Sequence, residues 1–97
     1  MSLALLGYAN ARLGERSQAL DILGQLEAAS KQSYTPALSF ALVYAGLGEK
    51  DHAFAWLEKA YEERASRLAY LKTEALWDPL RSDPRFADLL LRIGLQK

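Results

Sequence analysis

Ala11-Arg12-Leu13-Gly14-Glu15-Arg16 and Ala45-Gly46-Leu47-Gly48-Glu49-Lys50 are one short phrase written twice, 34 residues apart. At the same offset Ala19 falls on Ala53 and Leu23 on Leu57, and Arg16 is answered by Lys50. A period of this length marks a repeat in which two helices and a turn form each unit. The glycine at the centre of each phrase supports that reading, because a residue without Cβ takes positive φ at little cost where two helices reverse direction.

Hydrophobic spacing on either side of the two phrases is helical. Leu3, Leu6, Gly7 and Asn10 share one face, as do Ala19, Ile22, Leu23 and Leu26. Ala37, Phe40, Ala41 and Tyr44 form a third stripe, and Ala53, Trp56, Leu57, Ala60 and Tyr61 a fourth. Each follows the i, i+3, i+4, i+7 pattern, and no stretch alternates as a half-buried strand would. The spacing predicts antiparallel helix pairs over 3–13/17–31 and 36–47/51–64, with Thr35-Pro36 and Asp51 as helix starts.

These residues resemble the tetratricopeptide repeat (TPR) family. Small residues in the first helix of a unit match Gly7 and Ala41, and turn glycines match Gly14 and Gly48. Small residues early in the second helix match Ala19 and Ala53, and the large residue four positions on matches Leu23 and Leu57. Ala60 fits a later small position that Leu26 does not. Further departures are the lack of an aromatic at Ala4 and Ala37, Asn10 in place of the type shown by Tyr44, and no proline at Lys31 or Ala65. The resemblance implies an all-α, right-handed solenoid of about two repeats, 3–34 and 35–66, within a single domain over 1–97.

After residue 66 the period lapses. Asp78-Pro79-Leu80-Arg81-Ser82-Asp83-Pro84-Arg85-Phe86 holds two Asp-Pro steps that no long helix crosses. Asp83 and Pro84 then open a helix with Phe86, Leu89, Leu90 and Ile93 as its buried stripe, and Gly94 reads as its left-handed terminator. Similar stretches close TPR arrays in bacterial signalling and regulatory proteins, so 67–97 is expected to cap the second repeat, with Trp77 wedged onto the fourth helix. An early helix start also suits the C-terminal piece of a longer array, or a dimer that covers an open face.

Composition narrows the function. The 97 residues are 51% apolar and 25% charged, with twelve basic and twelve acidic side chains and no cysteine. Disulfide scaffolds, thiolate metal sites and thiol nucleophiles are excluded, and a cytoplasmic location is expected. A net charge of zero leaves no basic footprint for nucleic acid over the whole chain, although Arg64, Arg67, Lys72, Arg81, Arg85 and Arg92 concentrate cations in the last third. No apolar run reaches membrane-spanning length, and no signal-peptide pattern precedes the first helix. His52 is the only histidine, no glycine spacing fits a phosphate loop, and Glu62-Glu63 reads as a solvated helix end. No cofactor, metal or catalytic set is expected.

What remains is binding. The third helix is apolar almost all round, with Leu38, Leu42 and Ala45 opposite Phe40, Ala41 and Tyr44. Either neighbouring helices cover both faces, or one face is a groove. The TPR resemblance implies a concave surface for a peptide or partner helix, on which Tyr8, Arg12, Leu38 and Leu42 occupy the matching positions; self-association through that face is the other form of the same reading. The Lys and Asn set of carboxylate-clamping arrays is missing there. A nucleic-acid accessory role for the basic last third is the alternative.

Overall fold

The computed structural model describes residues 3–32, 37–63, 68, 71 and 74–95. Its elements are α1 (Leu3–Arg12), α2 (Arg16–Ser30), α3 (Ala37–Leu47), α4 (Lys50–Glu62), a 3-10 helix (Ala75–Leu80) and α5 (Pro84–Leu95). The protein is all-α, with no strand among the described residues.

The repeated phrase builds the same turn twice. Gly14 and Gly48 take φ of +85° and +78°. At the first turn the Glu15 N–H donates to the Asn10 carbonyl (2.8 Å) and the Gly14 N–H to Ala11 (3.2 Å). At the second, Glu49 donates to Tyr44 (3.0 Å) and Gly48 to Ala45 (3.1 Å). This double bond pattern satisfies carbonyls left over at a helix C-terminus and is the reason for the left-handed glycine. Each glutamate carbonyl then accepts the first bond of the next helix, from Ala19 and Ala53.

Both turns close antiparallel pairs. Phe40 stacks on Trp56 at 4.3 Å and Tyr44 on His52 at 4.9 Å between ring centres, and both pairs are centred on Gly48. In the first pair, Gly7 and Ile22 face each other from opposite sides of the turn at Gly14. Between pairs the helices run parallel. Gly46 of α3 lies against Tyr8 and Ala11 of α1, while Val43 lies against Gly7. A Cβ on Gly7 would come within 2.9 Å of both Ile22 and Val43, so the missing side chain is what lets three helices meet there.

α3 is the centre. Ala37, Phe40, Ala41, Leu42, Val43, Ala45 and Gly46 are all buried, because α1, α2, α4 and the 3-10 helix pack around it. This explains a helix with no polar face.

Several expectations change. Residues 33–36, with Thr35 and Pro36, lie outside the described residues. Asp51 does not cap α4: Glu49 holds the N-cap position, and Asp51 sits in the first turn with its carboxylate on Arg85. Gly94 lacks positive φ and lies inside α5, which continues through Leu95. Asp83 does cap α5, accepting the Arg85 N–H at 2.9 Å. Trp77 is buried, donating to Glu74 at 3.3 Å, but its 3-10 helix packs against α3 rather than chiefly on α4. Of the stripe on α5, Phe86 and Leu89 are buried and Leu90 and Ile93 half-buried.

Candidate interaction surfaces

The 34-residue spacing returns in space beyond residue 66. Arg85 bonds Asp51 and Arg92 bonds Glu58, each across 34 positions, so α5 lies parallel to α4 in the register of the repeat. The turn Arg81-Ser82-Asp83 falls 34 residues after Leu47-Gly48-Glu49, and the 3-10 helix packs on α3. α5 thus stands against α4 at the 34-residue offset that the first two helix pairs show in sequence.

Leu23 and Leu57, at equivalent positions, are 6% and 0% exposed, whereas Leu91, one period on, is 68% exposed. At the other end Leu6 and Leu13 of the first hairpin are exposed, and so is Leu20, whose counterpart Phe54 is buried beneath Arg85. Sequence reasoning passed over Leu91. The signal was its position, 34 residues after Leu57 and twice that after Leu23.

The four residues expected on the inner face are treated unequally. Arg12 is exposed at the end of α1, and Leu38 is half-buried on α3. Tyr8 is half-buried and lies against Gly46, so its ring belongs partly to the α1–α3 contact. Leu42 is buried in the core. The four do not form one open apolar floor; Arg12 is accessible, with Tyr8 and Leu38 offering edges.

Electrostatics concentrate between α4 and α5. The Arg85 guanidinium bonds Asp51 and Asp83, both at 2.9 Å, and lies 4.6 Å over the Phe54 ring. Arg92 pairs with both oxygens of Glu58, sits 3.3 Å from Asp88 and lies 5.3 Å over Tyr61. Hydrogen bonds from Arg85 hold the Asp83 carboxyl down to about 2, and the bond from Arg92 lowers that of Glu58. Tyr44 is raised, first by burial and then by the nearby Glu27 and Glu49 charges. His52 is exposed, stacked on Tyr44 and 3.8 Å from Glu49.

These pairings bear on the cation-rich last third. Arg81 bonds Asp78 at 2.5 Å, and Arg85 and Arg92 are bracketed by carboxylates. Arg64, Arg67 and Lys72 lie outside the described residues. Among the described residues no three acidic or histidine side chains come together as metal ligands, and no helix is long and apolar enough to cross a membrane. No family model, curated protein or solved structure matches this chain.

Proposed function

We propose that the chain is a TPR-like right-handed solenoid module of the cytoplasm whose work is protein–protein interaction. It does so by holding a peptide or partner helix along the α1–α3 side or by associating through its ends. The observation that carries this reading is the contrast within one repeated position, where leucine is buried twice and exposed at the third. A stacked array uses the same surface for its own cohesion and for what docks on it, so an uncovered end is competent for a partner.

Arg12 supplies an exposed charged contact one helical turn from the half-buried Tyr8, and Leu38 is half-buried on α3. Aromatic and arginine side chains are the residue types that most often anchor interfaces. The internal bracketing of Arg81, Arg85 and Arg92 leaves those cations poorly suited to phosphate, so nucleic acid is not proposed.

The test is sedimentation equilibrium of the pure chain beside capture of proteins from a lysate, for wild type, Arg12→Glu and Leu91→Glu. All three should melt alike, and one variant should lose the dimer or the captured protein. Unchanged association in both variants would reject the proposed surfaces.

A further inference from the structure

The contact between α4 and α5 is unlike the rest of the interior. Around α3 the helices meet through alanine, glycine, valine and leucine and through the stacked pairs Phe40–Trp56 and Tyr44–His52. α5 instead meets α4 through a polar cassette used twice. Asp51 and Phe54 receive Arg85; seven residues on, Glu58 and Tyr61 receive Arg92, seven residues after Arg85. In each copy a guanidinium sits over an aromatic ring and bonds a carboxylate three residues before it. Seven residues is two helical turns, so both cassettes lie on one strip of α4. The carboxylates at the rim are open to water: the Asp51 side chain is 91% exposed and that of Glu58 44%. Among the residues of α5 whose burial is described, the buried apolar anchors are Phe86 and Leu89, against seven buried residues on α3.

We propose that α5 is a charge-held strap that opens from α4 independently of the α1–α4 body, and that the strip Asp51/Phe54/Glu58/Tyr61 then receives α5 of a second copy. The occupant follows from charge and spacing. A helix seated on the strip must carry cations seven residues apart beside an apolar stripe, and α5 is the segment of this chain that does so. Exchange between copies remakes each contact with the same partners, which makes swapping a low-cost route to a dimer. Added salt weakens the strap because pairs at an exposed rim are screened. This does not rest on the α1–α3 side or on Leu91 as binding surfaces.

Two measurements on the full chain test it. Hydrogen exchange should show α5 amides opening more often than those of α3, with α5 opening rising about three- to tenfold between about 0.05 and 0.5 M NaCl while α3 holds steady. Exchange of both helices through one shared, salt-independent opening overturns the strap. Second, a labelled synthetic peptide of residues 82–97 is titrated into wild type and Arg85→Gln/Arg92→Gln. The double variant has a weakened strap of its own, so it should bind the peptide about three- to tenfold more tightly than wild type. Adding Asp51→Asn/Glu58→Gln should abolish that gain. Equal affinity for wild type and variant, or a gain that survives loss of both carboxylates, overturns the strip as receptor. If the double variant does not fold, the single variant Arg92→Gln replaces it in the titration, with the same gain over wild type expected and the same equal affinity overturning the strip.

Discussion

Replacing Gly7 by alanine should destabilise the protein, whereas the same change at Gly24 should stabilise it. Both glycines are helical, and glycine within a helix costs about 0.5–1 kcal/mol relative to alanine. At Gly24 the new Cβ meets nothing within 4 Å, so the full gain is realised. At Gly7 the methyl would lie 2.9 Å from Ile22 Cγ2 and 2.9 Å from Val43 Cγ2. Both neighbours are β-branched, with little rotamer freedom to move aside, and they belong to different helices, so relief requires shifting α2 or α3. Overpacking of this kind costs about 1–3 kcal/mol, which exceeds the propensity gain and leaves a net loss near 1 kcal/mol. For a chain of this size 1 kcal/mol is about 4–8 °C in Tm. Thermal melts followed by far-ultraviolet circular dichroism should therefore move in opposite directions. Equal shifts would refute the close approach of α1, α2 and α3.

Other outcomes follow from the same structure. Leu42→Glu should lower Tm by many degrees, since Leu42 is only 8% exposed and the charge would be buried without a partner; a normal melt would restore Leu42 to an open groove. Ala53→Leu, at a position with no exposure, should cost about 1–3 kcal/mol by forcing α3 and α4 apart, checked by denaturant titration. Asp83 has a folded pKa below its unfolded value, so its pairing stabilises the protein above the ordinary aspartate range and is lost as pH falls from about 4 to about 2. Asp83→Asn should flatten Tm against pH in that window, and an unaltered curve would remove Arg85 as its cause.

The first two units were legible because three signals agree in them. The helical stripes, the Leu-Gly-Glu turns and the 34-residue offset all point to the same hairpins, and the positive φ at Gly14 and Gly48 follows from the turn geometry. The offset of α5 against α4 was not legible. A 3-10 helix containing Pro79 stands 34 residues after α3, Ser82 stands where the earlier turns have glycine, and Asp83, Ala75, Ala87 and Leu91 are too few matches to stand out. Only the ion pairs across 34 positions make the register visible. The inner face was half legible. A helix apolar all round must be covered, but hydropathy does not tell which neighbour covers which side, and the 3-10 helix against α3 was not foreseen. Gly94 misled because glycine near a helix end is also compatible with an exposed position inside the helix.

Site-specific photo-crosslinking inside cells that express the chain tests the central claim most directly. A photoreactive side chain is placed at Arg12, at Leu91 and, as a reference, at the exposed Ala29 of α2. The account predicts protein adducts, resistant to nuclease, from Arg12 or Leu91 and none from Ala29. Adducts that vanish with nuclease, or equal labelling from all three positions, would contradict it.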